Sequence, residues 1–305
     1  MMDSLFSSSS SGSPGDREGR PYKQWTLHSS LIRLLAPRYG EGEAQALVRT
    51  LLEDEAGLSL TDILMGKADA LPAEEQARLL TMTRRVAEGE PLQYVTGYQP
   101  FCGLRIGVEP GVLIPRPETE EWVEVLVRED RGYHHILDLC TGSGCIALAL
   151  QQAFPEAQVE GWDISFEALA IARRNAEALG LDVTFRQVDV FFVEERGERR
   201  EENLWDLITA NPPYVLESER DSMADHVLSH EPSLALFVPD DDPLRFHRAI
   251  ARLAAKRLAL GGMVAMEINE RFPEETSALL QREGFSDIRL FTDACGKPRM
   301  VSARL

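Results

Sequence analysis

From Trp25 to Glu88 the apolar residues recur every three or four positions. Leu27, Leu31, Leu34 and Leu35 share one helical face, and Ala44, Leu47, Val48, Leu51 and Leu52 share another. Ser59 with Asp62 reads as a capped helix start, and Pro72 sits where a helix's first turn accepts proline. The spacing predicts a small bundle of about four or five helices over residues 21–88. Between Gly89 and Pro117 the texture changes to short β-like pieces broken by Gly and Pro. Leu104-Arg105-Ile106-Gly107-Val108 alternates and Glu109-Pro110-Gly111 marks a turn, which predicts a β-hairpin linker over 89–117. Trp122, Val123, Leu126 and Val127 then open a helix.

Beyond that helix the apolar runs are short and uniform. Ile136–Cys140, Ala157–Trp162, Val183–Val188 and Leu204–Ala210 read as buried strands, and Ile146–Leu150 begins a helix. Pro243–Leu260 is an amphipathic helix, Met263–Ile268 a strand and Glu274–Glu283 another helix. Phe285–Phe291 and Met300–Leu305 suit a closing antiparallel pair. Strands alternating with helices predict an α/β fold, a doubly wound and mostly parallel sheet over 118–305.

Composition narrows the class. At 305 residues the chain suits two domains, or one large domain with an appendage, and its 44% hydrophobic residues supply ample core. The 50 acidic and 32 basic residues leave a net charge of −18, which repels phosphate backbones and disfavours a broad nucleic-acid interface. Cys102, Cys140, Cys145 and Cys295 show no paired spacing, and the six histidines form no metal-ligand pattern. No metal is expected, and the cysteines read as reduced thiols of a cytoplasmic protein. Residues 1–20 are rich in Ser, Gly and charge without the apolar core of a signal peptide, so a disordered tail is expected. No window approaches the roughly 18 to 20 apolar residues of a membrane span.

Candidate chemistry gathers at strand ends. Asn211-Pro212-Pro213-Tyr214 follows the Leu204–Ala210 strand, and two prolines force the chain out of the sheet there. The loop offers an amide side chain, backbone carbonyls without nearby donors and an aromatic ring, a set suited to a planar NH2 group. The four residues also suit a plain proline-rich turn. Upstream, Thr141-Gly142-Ser143-Gly144 breaks the Ile136–Cys140 strand ahead of a helix, where backbone can approach a ligand closely. Asp163, about twenty residues on, ends the next strand and can accept from a ribose hydroxyl pair. Asp189 ends the strand after that, placed to accept from an adenine amino group. Each carboxylate alone reads as an ordinary strand-end residue; together with the glycines they outline a pocket for one nucleoside. Arg116, held extended between Pro115 and Pro117, can contact a carboxylate, steer an anion or simply lie at the surface.

These motifs resemble those of class I S-adenosylmethionine-dependent methyltransferases. Ile114-Pro115-Arg116-Pro117-Glu118-Thr119-Glu120 and Glu231-Pro232-Ser233-Leu234-Ala235-Leu236 look like the HemK family, the peptide-chain release factor glutamine N5-methyltransferases. The resemblance implies a seven-stranded sheet and a protein that transfers the methyl group of S-adenosylmethionine, releasing S-adenosylhomocysteine. The acceptor would be the side-chain amide of the glutamine in the Gly-Gly-Gln loop of class 1 release factors. Cys140, Thr141, Gly142, Ser143 and Gly144 would border the methionine portion, Asp163 the ribose, and Asp189 with Val190 the adenine, with Asn211 also counted among the cofactor contacts. Asn211, Pro212, Pro213 and Tyr214 would hold the acceptor amide, with Asn211, Pro212 and Tyr214 acting in catalysis. The helical bundle would recognise the protein substrate, and the enzyme is expected to be a monomer without direct nucleic-acid contact. The sequence departs from the family at Cys140 and at Asn269, where glycine is common; neither change is expected to touch the tetrapeptide.

Other readings stay open. The same tetrapeptide serves nucleic-acid methyltransferases acting on adenine N6 or guanine N2, which the acidity disfavours. Ribosomal-protein glutamine methylation is a close cousin, and a non-catalytic adaptor would retain the fold without needing Asp163 and Asn211.

Overall fold

The computed structural model describes residues 26–128, 132–195 and 204–305. The tail expected over residues 1–20 and the first residues of the expected bundle lie outside them. Thr26 starts helix α1 (Leu27–Ala56), its hydroxyl accepting the Ser29 amide at 3.2 Å. Pro37 lies inside α1, and Gly40 leaves helical geometry at φ 76°, so two helical segments meet at a kink. Leu27, Leu31 and Leu35 are buried before it, and Ala44, Val48, Leu51 and Leu52 after it. Leu34, expected on the first buried face, is 36% exposed. It lies about 60° around the helix from Leu31, on the flank of the stripe. The Ser59–Asp62 capping box starts α2 (Leu60–Leu64) as predicted. After a 3-10 turn at Lys67–Ala70, Pro72 immediately precedes α3 (Ala73–Ala87), which buries Leu79, Met82 and Val86. These elements belong to the first of two compact units, which ends at Glu88.

The second unit, Gly89–Leu305, opens with a short helix α4 (Leu92–Thr96) that the Gly- and Pro-broken texture does not announce. The predicted hairpin follows as β1 (Tyr98–Phe101) and β2 (Leu104–Gly107), paired antiparallel. Its buried residues Phe101, Leu104 and Ile106 join the same core as Trp122, Ile136 and Leu148. The chain then alternates through α5 (Pro117–Arg128), β3 (His135–Leu139), α6 (Cys145–Ala153), β4 (Gln158–Asp163), α7 (Phe166–Leu179), β5 (Val183–Gln187), α8 (Val190–Glu195) and β6 (Trp205–Ala210). A two-stranded ribbon, β7 (Val215–Leu216) with β8 (Phe237–Val238), flanks α9 (Asp225–His230). Helix α10 (Arg245–Arg257), β9 (Leu258–Glu267), α11 (Pro273–Arg282), β10 (Ser286–Thr292) and β11 (Pro298–Arg304) complete the unit.

The main sheet has seven strands in the order β10-β11-β9-β6-β3-β4-β5. The strands from β9 to β5 run parallel, and β11 and β10 close the sheet antiparallel. This is the doubly wound, mostly parallel sheet expected. Alternation along each strand feeds two cores: Ile136, Leu207 and Ala265 face one layer of helices, and Leu137, Ile208 and Val264 face the other. The expected Pro243–Leu260 helix ends at Arg257, because Leu258–Leu260 already belong to β9. From β3 the chain builds outward to β4 and β5, then returns to place β6 on the other side. Ligand crevices of open α/β sheets lie at such a reversal, beyond the carboxyl ends of the strands. No described helix is long and apolar enough to cross a membrane.

Candidate active site

A cavity of about 420 Å³ opens at the carboxyl ends of β3, β4, β5 and β6, within the size range of small-molecule sites. The chain leaves β3 through Cys140, whose φ of 56° places a residue with a side chain in left-handed backbone. Glycine, the residue expected here from the resemblance, would adopt that geometry without strain. Gly144 ends the turn at φ 81°, and a Cβ there would lie 3.0 Å from the Phe185 ring and 3.2 Å from Ala172 Cβ. The loop is braced from below by Asp138, fully buried at the end of β3. Its carboxylate accepts the Thr141 hydroxyl at 2.6 Å and the Thr209 hydroxyl at 2.8 Å, linking the loop to β6. Burial pushes the Asp138 carboxyl up to about 7 against the opposing pull of those hydroxyl donors.

Asp163 ends β4 with one backbone donor on each oxygen, the Ser165 amide on Oδ1 and the Gly142 amide on Oδ2, both at 2.9 Å. Burial raises its pKa, and those amides and that of Ile164 pull it back. A carboxylate has about four acceptor positions, so lone pairs remain for hydroxyl donors in the cavity. Asp189 Oδ1 accepts the Phe191 amide at 2.9 Å as α8 begins, and Val190 is buried beside it. Phe191 and Phe246 pack with ring centroids 4.9 Å apart, and the Arg245 guanidinium lies 4.8 Å from the Phe191 centroid. All three residues border the cavity.

On the opposite wall the tetrapeptide leaves β6. Asn211 Nδ2 donates to the Thr119 hydroxyl at 3.3 Å, and among the described residues no hydrogen bond reaches its Oδ1. Thr119 donates onward to Glu267 Oε2 at 2.6 Å, where Trp122 Nε1 also donates at 2.9 Å. The Tyr214 hydroxyl donates to Glu267 Oε1 at 2.8 Å. Glu267 is 2% exposed, and its pKa is raised by burial against the pull of these three donors. The Tyr214 phenol is raised well above its ordinary value, first by burial and then by the Glu267 charge.

The two family motifs meet in space. Arg116 donates to Glu231 Oε1 at 2.7 Å, and the Ile114 amide donates to Glu231 Oε2 at 3.0 Å. Of the three roles open to Arg116, the structure shows the carboxylate contact. Asn269 corrects another expectation, because its Nδ2 donates to the Tyr214 carbonyl at 3.1 Å and to Glu219 Oε2 at 3.0 Å. Asn269 therefore does touch the tetrapeptide.

Of the residues singled out in the sequence, Cys140, Thr141, Gly142, Ser143, Asp163, Asp189, Val190, Asn211 and Pro213 border the cavity. Gly144, Pro212 and Tyr214 do not; Gly144 caps α6, Pro212 is buried, and the Tyr214 hydroxyl turns to Glu267. Sequence reasoning missed the parts played by Thr119 and Glu267. Thr119 lies inside the Ile114–Glu120 motif and Glu267 inside the Met263–Ile268 strand, but no spacing rule joins positions 148 residues apart. It also missed Gly161 on β4, where an added Cβ would meet the Phe185 ring at 2.6 Å and Thr141 Oγ1 at 2.9 Å. The donor set fits a nucleoside bearing an amino acid: Asp163 retains acceptor capacity, and the buried Ser143 hydroxyl borders the cavity with no hydrogen-bond partner among the described residues.

The chain is similar to known proteins over most of its length. Residues 29–97 match the PrmC N-terminal domain and residues 119–236 the Methyltransferase small domain. The release factor glutamine methyltransferase of Bacteroides thetaiotaomicron is 44% identical over 265 residues, covering 87% of this chain and 94% of the relative. Proteins of the same name from Flavobacterium psychrophilum and Geobacter sulfurreducens are 35% and 36% identical, covering 90% and 92% of this chain and 96% and 97% of theirs.

Proposed function

The chain belongs to the release factor glutamine methyltransferase family, and we propose that it methylates the side-chain amide of a release factor glutamine on N5. The enzyme is an S-adenosylmethionine-dependent methyltransferase, and the cofactor supplies an already activated methyl group. What remains for the protein is alignment of the acceptor nitrogen, which can lower a barrier by about 7 to 11 kcal/mol. An amide nitrogen is a poor nucleophile because its lone pair is delocalised into the carbonyl. Asn211 Oδ1 and the Pro212 carbonyl would accept its two N–H bonds, fix the nitrogen toward the methyl group and stabilise the positive charge that develops. Asp163 would hold the ribose hydroxyls, the Thr141–Ser143 turn the methionine portion, and Asp189 with Val190 the adenine.

The observation that carries this reading is the Asn211 amide, tethered by its NH2 to Thr119 at the cavity wall and unbonded at its oxygen. The N-terminal helical unit we assign to recognition of the protein substrate, since every nucleoside-directed group lies after Asp138. The acceptor we take to be the glutamine of a Gly-Gly-Gln loop in a class 1 release factor. Incubation with labelled S-adenosylmethionine and release factor, ribosomal proteins, tRNA or DNA tests the whole reading. Mass spectrometry is expected to place one methyl group on that glutamine. Label in nucleic acid with none in the release factor would overturn it.

A further inference from the structure

We propose that Thr119 and Glu267 are positioning residues that decide which end of the Asn211 amide faces the acceptor. The proposal rests on the glutamine-methylating reading for its kinetic arm and on the hydrogen-bond network for its logic. β6 and β9 run parallel with Ala210 opposite Met266, so Asn211 and Glu267 leave the sheet side by side at the same edge. Thr119 comes from the first turn of α5 and is 1% exposed.

Side-chain amide oxygens and nitrogens are nearly isosteric, and an asparagine can lie in either sense unless its neighbours choose. Here they choose through a chain of single protons. An ionised carboxylate only accepts, and Glu267 takes donors from Trp122, Tyr214 and Thr119. Trp122 Nε1 can only donate, so in the ionised form, which these three donors favour, Oε2 of Glu267 is an acceptor. Thr119 has one hydroxyl proton and commits it to that oxygen at 2.6 Å. Its remaining lone pairs can receive only a donor, so the end of Asn211 facing Thr119 must be the NH2. The oxygen is left for the substrate. Reversing the amide would set the Asn211 oxygen against a Thr119 oxygen whose one proton points to Glu267, and would turn N–H groups toward a substrate amide that itself offers N–H. Glu267 thus acts at two bonds' remove, without touching cofactor or substrate.

The relay explains a pattern that packing alone does not. A buried carboxylate is expensive unless its charge is used, and its two oxygens take three donors, more than the two lone pairs of a backbone carbonyl accept. Only a fixed acceptor imposes a direction on the threonine proton.

The test is Thr119→Val, nearly isosteric but without the hydroxyl, beside the rescue variant Thr119→Ser. With Thr119→Val, kcat is expected to fall at least about tenfold, the scale of a lost buried hydrogen bond, while the calorimetric affinity for S-adenosylmethionine is unchanged. Thr119→Ser should stay within about threefold of the parent. The decisive arm repeats Thr119→Val in the Asn211→Asp background. A carboxyl group presents an oxygen whichever way it lies, so the Thr119→Val loss should shrink to a few-fold there. An equal loss in both backgrounds would mean that Thr119 merely supports the wall, and would overturn the proposal. Nuclear magnetic resonance of the enzyme labelled at asparagine side chains reads the orientation without any substrate. The Asn211 NH2 signal should exchange slowly in the parent and in Thr119→Ser and rapidly in Thr119→Val; identical exchange in all three would overturn the proposal. Because that arm needs no methyl acceptor, failure of the glutamine assignment would show only in the kinetics.

Discussion

On the wall proposed for the cofactor, most polar groups are held by neighbours near in sequence, the Asp138–Thr209 bond across 71 residues being the exception. Thr141 reaches Asp138 across 3 residues, Ser165 reaches Asp163 across 2, and Gly142 reaches Asp163 across 21. On the acceptor side Asn211 is held by Thr119 across 92 residues, Thr119 leans on Glu267 across 148, and Asn269 reaches Tyr214 across 55. One wall is a strand-end turn made chiefly of backbone, and the other is a network of side chains assembled by the finished sheet. The first wall offers several partly redundant contacts to a ligand. The second, on the proposal above, aims one oxygen through Thr119 and Glu267. Substitutions should therefore be graded on the cofactor wall and close to all-or-none on the acceptor wall.

Asn211→Ala gives the largest expected effect. It removes the aimed acceptor, and the loss of a single charge-stabilising hydrogen-bond partner costs about 10²–10³ in kcat. The fold and the affinity for S-adenosylmethionine should persist, since Asn211 makes one long hydrogen bond, at 3.3 Å. Asn211→Asp keeps an acceptor and should retain part of the turnover. Quantitative mass spectrometry of the methylated glutamine peptide separates the three proteins. A rate for Asn211→Ala equal to the parent's would remove the distinction between the walls.

Asp163→Ala probes the other wall, and its effect should be smaller and of a different kind. A charged acceptor for hydroxyl groups is worth about 1.5 to 3 kcal/mol, so the dissociation constant for S-adenosylmethionine should rise about tenfold or more. At saturating cofactor, kcat should change far less than in Asn211→Ala, because Asp163 does not aim the acceptor. Calorimetry and saturation kinetics on one preparation decide it. Unchanged affinity in a folded variant would sink the ribose assignment.

The same difference governs what could be read from the sequence. The glycine turn, Asp163 and Asp189 each follow a strand within a few residues, so the alternation of apolar runs and turn residues located that wall almost completely. The tetrapeptide was equally visible, since two prolines must leave a sheet. Its orientation was not visible. Glu267 looks like a polar end to an apolar strand, and Thr119 like one letter of a helix start. Only the parallel pairing of β6 with β9 brings them to Asn211. Asn269 was misread for a related reason: its partner is a backbone carbonyl, which leaves no mark on the sequence. In the first unit Leu34 fits the helical spacing yet is exposed, because periodicity defines a stripe and not its width.

The smallest expected effect belongs to Cys140, where the cofactor wall's dependence on backbone can be measured directly. Its φ of 56° is a conformation that costs a residue with a Cβ about 1–2 kcal/mol. Glycine escapes that cost and loses about 0.5–1 kcal/mol through the greater freedom of its unfolded chain. Replacing Cys140 by Gly alone would mix these terms with the packing of the half-buried thiol, whose pKa is raised far above its usual value by desolvation and by the nearby carboxylates Asp163, Asp138 and Asp189. Comparing Cys140→Gly with Cys140→Ala cancels the sulfur, since both variants lack it, and leaves the backbone. Cys140→Gly should be the more stable by about 0.5–1 kcal/mol, read as a higher urea midpoint at an unchanged slope. At saturating S-adenosylmethionine both variants should keep kcat close to that of the parent, because neither alters the Asn211 network. If Cys140→Ala matches or exceeds Cys140→Gly in stability, the turn does not hold this position left-handed in solution. The wall would then owe its shape to side chains, as the acceptor wall does.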